Sequence, residues 1–451
     1  MLKTLIERDR GIASGCRGQY ALEPVIRDAS EVKFIFADSL DVVDPNYDFT
    51  TEQAAESRAH WDKCYPHELM EPAPYDGVLV SRGIVDGKYS SAQALRLRRN
   101  GVRKFLRLDG PRFAHMPIYG DSGAFRYCSH DKPPYTAAQM LDFYADGGFT
   151  HGCSVDHIVF DFDREESGRA AGSDSARSRS GITLENARTF LEQSKALGIG
   201  FTPIGVVQGW SPSSIGNAAA DLEKMGYSYI ALGGLVPLRS VDIHRCLSAV
   251  RERISPRTRI HLSNFSRVEE IGDFARYGIE SFDSSSPLLH AFMHARFNYY
   301  VLNGVGLDYY ATIRIPSTLE NTRLIRAANQ GQLEQETLLE LERQALEAVR
   351  GYDRHGVTLE DAVERVADYG SLLADDPSTG SPSREKLRDA IRVDAERTLR
   401  ERPWSTCPCE ICQVASVDVA IFRSSERNKR RGFHNLGVFF RHVRRLRDGG
   451  G

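Results

Sequence analysis

From residue 32 to about residue 300, short runs rich in β-branched and aromatic residues alternate with longer stretches whose apolar positions recur every three to four residues. An unbroken or alternating apolar run of four to eight residues marks a buried strand, and a 3.6-residue recurrence marks an amphipathic helix. The strand-like runs are VKFIFADS (32–39), GVLVSR (77–82), MPIYGDS (116–122), HIVFDFD (157–163), GFTPIGVVQG (200–209), YSYIALGG (227–234), RIHLSN (259–264) and IESFDSS (279–285). Between them lie helical stretches such as TAAQMLDFYADGG, ITLENARTFLEQSKALG and SSIGNAAADLEKMG, closed by a glycine suited to a helix C-cap. Eight strands joined by helical crossovers predict an α/β fold, a TIM (β/α)8 barrel, with a doubly wound parallel sheet as the alternative.

Outside that alternation the pattern changes character. GRAAGSDSARSRSG (168–181) is small and polar and reads as a mobile loop after the fourth strand, where loops cover a barrel's active face. Residues 315–400 are rich in Leu, Glu, Ala and Arg at helical spacing, interrupted by PSTGSPS (377–383), and read as a helical insertion. The expected organisation is a catalytic barrel with an N-terminal extension over 1–310, the helical insertion over 311–400, and a zinc-binding, basic subdomain over 401–451 that completes the barrel.

Composition adds to this picture mainly through what it clusters. The start, MLKTLIERDRG, is charged, and no stretch reaches the roughly 18 consecutive apolar residues of a membrane span, so the expectation is a soluble, cytoplasmic protein with no membrane partner. Of eight cysteines, Cys16, Cys64, Cys128, Cys153 and Cys246 are scattered and read as small buried hydrophobes. The other three, Cys407, Cys409 and Cys412, form a C-x-C-x2-C cluster whose thiolates can meet one metal ion. Zinc takes four sulfur or nitrogen ligands, and both His434 and His442 follow downstream as the possible fourth. With no open coordination position implied, the zinc is expected to be structural.

The net charge of −3 conceals a basic segment, in which Arg423, Arg427, Lys429, Arg430, Arg431, Arg441, Arg444, Arg445 and Arg447 face only Glu426. Such a run is either the footprint of a phosphate-backbone partner or a solvated helix face. A second group gathers at the predicted strand ends: Asp121 and Ser122 on the third, Asp163 on the fourth, Gln208 and Gly209 on the fifth, Gly233 and Gly234 on the sixth, Asp283 on the eighth. A single Asp there is ordinarily a helix N-cap, but a parallel barrel turns all its strand ends to one face. Two carboxylates can divide the work of nucleophile and acid/base, while a third carboxylate, an amide and exposed glycine backbone can hydrogen-bond the edge of a planar heterocycle.

These residues resemble a known family. DSGAF (121–125) is similar to the DSGG-aromatic motif of the tRNA-guanine transglycosylases, IVFDFD (158–163) to their base-recognising Asp segment, and GVVQGW (205–210) to their G-I-V-Q-G-G. YIALGGLV (229–236), GIESFDSSSP (278–287) and the CPCEIC cluster followed by HN at 434–435 resemble, in the same order, their Y-A-V-G-G-L-A, their G-I-D-M-F-D-x-x-x-P and their zinc site. The resemblance covers roughly residues 117–290 and 404–445.

It implies a pentosyltransferase that swaps a guanine in a polynucleotide for a 7-deazaguanine without cutting the backbone. Carried over, Asp283 matches the nucleophile that forms a covalent glycosyl intermediate and Asp121 its acid/base partner. Asp163, Gln208, Gly209, Gly234 and Leu235 match the base-reading groups, with Ser122 beside them, Phe125 matches the stacking aromatic, and the HN pair selects His434 over His442. The chain departs from the tRNA enzymes after the nucleophile, where Ser284-Ser285-Ser286-Pro287-Leu288-Leu289 replaces C-V-L-P-T-R, and at Ser263 and Arg126, which stand where those enzymes have Met and Gln. KFIFADSLDVVDPNYDF (33–49) and PYDGVLVSRG (74–83) resemble the DpdA-like branch, which inserts the 7-deazaguanine preQ0 into DNA. The expected partner is therefore DNA, assisted by proteins that open or select the duplex. A tRNA-modifying enzyme and a non-catalytic nucleic-acid-binding subunit are the alternatives. The zinc is then expected to brace the basic tail as a phosphate-gripping surface.

Overall fold

The computed structural model describes residues 32–54, 62–164, 172–198, 200–265, 267, 270–293, 296–304, 306–331, 333–373 and 383–448. Eight parallel strands close a barrel in chain order: β1 (Lys33–Asp38), β2 (Gly77–Ser81), β3 (Ile118–Asp121), β4 (His151–Cys153), β5 (Thr202–Val207), β6 (Tyr229–Leu232), β7 (Arg259–Leu262) and β8 (Ile279–Ser284). The ring is sealed where β1 pairs with β8, Ile35 lying opposite Asp283. Ile35, Leu79, Tyr119, Cys153, Ile204, Val206, Tyr229 and Ala231 pack together as a buried cluster. The TIM barrel expected from the alternating pattern is the observed fold.

Seven strands lie within the runs that predict them, and the fourth does not. The strand at that position is His151–Cys153, bonded to β3 and β5, whereas residues 154–164 carry no regular structure. Backbone N–H groups of the expected strand go elsewhere: His157 donates to Thr183 Oγ1 (3.0 Å), Val159 to Gln208 Oε1 (3.1 Å) and Asp163 to the Trp210 carbonyl (2.6 Å). Ile158 is apolar because it packs on Ala124 and Tyr127 rather than inside the barrel. The true strand was masked by its composition, since a three-residue HGC segment with one polar side chain shows no periodicity.

The predicted polar loop over 168–181 is also corrected in part. Residues 168–171 lie outside the described residues, but Ser173 caps a helix over Asp174–Leu197, its side chain accepting from the Ala176 N–H. The buried face of this helix is built from Ala176, Ser180, Thr183 and Ala187 before Phe190 and Leu191 appear. Small inward residues gave its first turns the composition of a loop. Ser180 Oγ donates to the Gln208 carbonyl (3.0 Å), so that this helix supports the end of β5.

Contact density divides the chain into two units, one of Met1–Leu40, Tyr75–Ser285 and Val443–Gly451, the other of Asp41–Pro74 and Ser286–His442. The first contains the barrel. The second contains helices Thr322–Asn329, Gln335–Asp353, Leu359–Ser371 and Arg384–Glu401, and a two-strand pairing of Ile313–Arg314 with Ile421–Phe422. It also contains most of the helix Ser425–Arg447.

That helix corrects the expectation of a basic surface. Arg427 and Arg431 are fully buried, Arg430 is 5% exposed, and the Arg423 side chain is likewise enclosed. Arg423 pairs with Glu52 and Glu342, Arg427 with Glu52 and with Asp418 (3.0 Å), and Arg430 with Glu426 (3.0 Å). Arg431 has no carboxylate and donates instead to the carbonyls of Val419, Ile421 and Ala291; burial pulls its guanidinium down to about 9. Arg447 pairs with Asp76 within the first unit. Of the nine cations in the run, Arg423, Arg427, Arg430 and Arg447 are therefore held in ion pairs and Arg431 on carbonyls, while Arg444 and Arg445 at its end stay exposed. Its counter-charges, Glu52, Glu342 and Asp418, lie far from it in sequence or just outside it. Among the described residues no helix is long and apolar enough to cross a membrane.

Candidate active site

All the strands are parallel, so their C-terminal ends open on one face of the barrel. Asp283 lies in β8 and is 6% exposed. Its Oδ1 receives two hydrogen bonds, from His261 Nε2 at 2.9 Å and from the Asn264 backbone N–H at 3.0 Å, while its carbonyl accepts the Phe265 N–H at 2.7 Å. Asn264 can aim its N–H there because it takes a left-handed conformation, φ 53°. Both side-chain bonds fall on Oδ1, which leaves Oδ2 as the oxygen available for chemistry.

Asp121 ends β3 with Oδ1 buried and without a hydrogen-bond partner. Burial drives its carboxyl up to about 7, the Ser81 hydroxyl and Gly123 N–H pull it down, and the charges of Asp283 and Asp156 push it further up. A carboxyl half-protonated near neutrality can give and take a proton, the property required of an acid/base group. Gly123, at φ 77°, turns the chain sharply past Ser81 into the Ala124–Arg126 turn that carries Phe125. Phe125 stays 36% exposed, so its ring face is accessible.

The residues that the resemblance matches to base-reading groups are arranged differently from expectation. Gln208, directly after β5, donates from Nε2 to Asp156 Oδ2 (2.8 Å) and accepts the Val159 N–H on Oε1. Ser122 Oγ donates to Asp156 Oδ1 (3.3 Å) and lies 2.6 Å from Tyr127 Oη, which donates to the Asp156 carbonyl. The carboxylate joined to Gln208 and Ser122 is thus Asp156 rather than Asp163, whose backbone N–H is tied to Trp210. The displacement follows from the fourth strand: β4 ends at Cys153, so the first carboxylate beyond it is Asp156. Burial raises Asp156 to about 6, and its bonds from Gln208 and Ser122 hold it back from going higher. Gly233 and Gly234 follow β6, and at both a Cβ would press on the Gln208 carboxamide; Gly234 also holds φ 74°. Gly209 starts the turn into the helix Pro212–Met225, and Leu235 is buried beside the glycines.

Asp156 and His261 join this constellation without having been singled out by the sequence pattern. The signal for His261 was available: in RIHLSN, Ile260 and Leu262 alternate with a histidine, which places a polar side chain on the face opposite to theirs.

In the second unit, Cys407, Cys409, Cys412 and His434 bring their ligand atoms within 4.8 Å of one another, a group able to hold a metal ion such as zinc. His434 Nδ1 lies 3.5, 3.4 and 3.2 Å from the three sulfurs. Bonds of about 2.3 Å to sulfur and 2.0 Å to nitrogen give a tetrahedron with S–N edges of about 3.5 Å, so the spacing fits zinc. His434 Nε2 lies 2.8 Å from the Tyr300 carbonyl, which orients the ring and reserves Nδ1 for a metal. Tyr299 stacks on that ring at 4.2 Å and sets its hydroxyl 3.1 Å from Cys412 Sγ. His442, the other candidate, is not in the group.

A closed parallel barrel with three carboxylates near its strand ends, in one chain with a Cys3His cluster able to hold zinc, defines the class: a TIM-barrel protein with a candidate metal site. No family model matches the chain. The chain is similar to the DNA-guanine transglycosylase of Salmonella montevideo, at 39% identity over 419 residues, covering 91% of this chain and 96% of that one. The chain belongs to the tRNA-guanine transglycosylase superfamily.

Proposed function

We propose that this protein is a DNA-guanine transglycosylase of the DpdA-like branch, a pentosyltransferase that exchanges a guanine in DNA for the 7-deazaguanine preQ0. The observation that carries the reading is the division among the carboxylates: Asp283 tied down through Oδ1, and Asp121 with an unpartnered oxygen and a carboxyl raised to about 7. Asp283 Oδ2 attacks the sugar C1′, the C1′–N9 bond breaks with its electron pair, and the departing guanine takes the proton of Asp121. The incoming 7-deazaguanine returns a proton to Asp121 as its N9 attacks C1′ and releases Asp283. Oxocarbenium character at C1′ is stabilised by the same carboxylate that then captures it.

Asp156, Ser122, Gln208, Gly234 and the backbone of Leu235 hold the base edge, with Gln208 acting largely by fixing Asp156. Phe125 supplies a stacking face, a role its exposure supports. A duplex guanine must leave the stack to reach these groups, which calls for base flipping or for a partner protein that opens the DNA. Cys407, Cys409, Cys412 and His434 would hold a zinc ion whose contribution is to folding, because four protein ligands leave it no open position.

The test is mass spectrometry of nucleosides from DNA and from tRNA in cells carrying the wild-type gene, a deletion, or Asp283→Ala. Deazaguanosine present in DNA with the wild type, and lost with both alterations, is the expected result. Loss from tRNA alone would show a tRNA enzyme, and modification that survives Asp283→Ala removes the nucleophile assignment.

A further inference from the structure

Below Asp283 the barrel interior holds a file of polar side chains where apolar ones are usual. Tyr119, Tyr229, Ser281 and His261 are each no more than 1% exposed. Tyr119 Oη lies 3.1 Å from Tyr229 Oη, Tyr229 Oη 2.6 Å from Ser281 Oγ, Ser281 Oγ 2.6 Å from His261 Nδ1, and His261 Nε2 2.9 Å from Asp283 Oδ1. Burying such groups is costly unless each is satisfied.

The direction of every bond follows from its upper end. An ionised carboxylate only accepts, so His261 donates from Nε2; with neutral imidazole Nδ1 must then accept, and the one hydroxyl bonded to it is that of Ser281. Ser281, its proton committed, accepts from Tyr229, the nearer of its two tyrosine neighbours, which leaves Tyr229 to accept from Tyr119, whose hydroxyl also lies 3.4 Å from Ser281 Oγ. All four protons point up the barrel toward Asp283. Bonds arranged head to tail in a dry interior polarise one another in the same sense.

We propose that His261 is a positioning residue for the nucleophile, and that Tyr119, Tyr229 and Ser281 form a buried donor chain that holds its imidazole in the tautomer that bonds Asp283 Oδ1. This inference rests on the reading of Asp283 as nucleophile. With Oδ1 fixed by His261 and the Asn264 N–H, the carboxylate cannot rotate, and Oδ2 meets C1′ in one orientation. The chain also separates the roles of neighbouring acids. Asp121 and Asp156 are raised by burial, while a file of donors serves Asp283 alone.

The test uses the purified full-length protein and incorporation of labelled guanine into plasmid DNA, with variants His261→Phe, His261→Gln, Ser281→Ala and Asp283→Ala. His261→Phe is expected to lower kcat by ~100-fold or more, the effect of removing one preorganised donor, with KM for DNA within about 3-fold. His261→Gln can still present an amide N–H near the Nε2 position and is expected to stay within about 10-fold of wild type. Ser281→Ala, which frees the imidazole to choose the wrong tautomer, is expected to cost about 3- to 10-fold in kcat. A purely structural role predicts a different outcome, in which the folded fraction of His261→Phe turns over at the wild-type rate. That result, equal impairment of His261→Phe and His261→Gln, or wild-type kcat in Ser281→Ala, overturns the proposal. The last arm decides the matter should His261→Phe not fold. Exchange retained by Asp283→Ala, or absent from the wild type, instead brings down the underlying reading and this inference with it.

Discussion

The strand ends of the barrel and the helix Ser425–Arg447 both concentrate charge, but they treat it in opposite ways. At the barrel, Asp121 keeps a buried oxygen without a partner, and burial has lifted both Asp121 and Asp156 toward neutrality. Along the helix Arg427 and Arg430, and Arg423 just before it, are enclosed and each is met by a carboxylate. Buried charge satisfied within the chain does structural work, whereas buried charge left partly unsatisfied stores a cost that a substrate can relieve. Charge density alone does not separate the two cases. The distinction lies in the partners.

The sharpest way to break the comparison is at the Cys3His cluster, three of whose four members are buried. Cys412→Ser, or prolonged chelation, is expected to remove the bound metal and lower the stability of that unit by on the order of 5 kcal/mol or more, since metal and folding free energies are coupled. Metal content and thermal unfolding, read together, check this. An unchanged melting temperature in a metal-free protein would mean that packing around Tyr299 and His434 suffices alone.

Asp121→Asn probes the other side. Guanine exchange is expected to fall by roughly 10³-fold, the scale of a lost acid/base group. Stability should move the opposite way, because the folded-state carboxyl sits at about 7 against an ordinary value of 3.8. Below about pH 3 the carboxyl is protonated in folded and unfolded chains alike and contributes nothing. As pH rises toward 7 the unfolded chain ionises first, so the wild type loses stability, by up to roughly 4 kcal/mol once both forms are charged. The asparagine variant escapes that loss. Its advantage in melting temperature is expected to grow from pH 4 to pH 8, and a constant difference would show that Asp121 carries no such strain.

Arg427→Ala tests whether the helix charges are architecture. It leaves Glu52 and Asp418 without this guanidinium in an enclosed site, and the expected loss is about 3–5 kcal/mol. Arg427→Met, which keeps most of the volume, is expected to lose no more than that. DNA affinity and its dependence on salt should be the same for the folded wild type and Arg427→Met, checked by binding titrations at several salt concentrations. A slope that fell by about 0.9 with Arg427→Met would return the residue to the phosphate-binding role.

The same contrast marks how far the sequence could be read. Strand count, barrel closure and the positions of Asp121, Gln208, Gly234 and Asp283 were legible because each follows a run with its own periodicity. The fourth strand was not, since His151–Cys153 is too short to show a period while the apolar 158–160 stretch beside it imitates one. Asp163 closes that apolar stretch, whereas Asp156, the carboxylate bonded to Gln208 and Ser122, precedes it with no pattern to mark it. His261 was legible only in part: the alternation in RIHLSN turns it away from Ile260 and Leu262, but its pairing with Asp283 on the next strand is not displayed by a linear pattern. The buried arginines were illegible for the same cause at longer range, Glu52 and Arg427 being brought together only by the fold. The cysteines, crowded within six positions of one another, needed no tertiary information beyond the choice of histidine.

With those arginines engaged internally, cationic contact with a phosphate backbone falls to side chains that remain exposed, among them Arg444 and Arg445 at the end of the run. Arg98, Arg99 and Lys104, at the end of helix Ser91–Asn100 and in the short helix Val102–Phe105 that follows, are exposed in the first unit. Replacing Arg98 and Arg99 together with Ala is expected to leave stability within about 0.5 kcal/mol, as for surface positions generally. If they neutralise phosphates, the slope of log affinity against log salt should fall by about 0.9 for each, close to 2 in all. An unchanged slope would mean that these arginines are solvated without touching DNA. Set beside Arg427→Met, the pair separates the two meanings of a basic run: one substitution acts on folding and is silent in salt, the other acts in salt and is silent in folding.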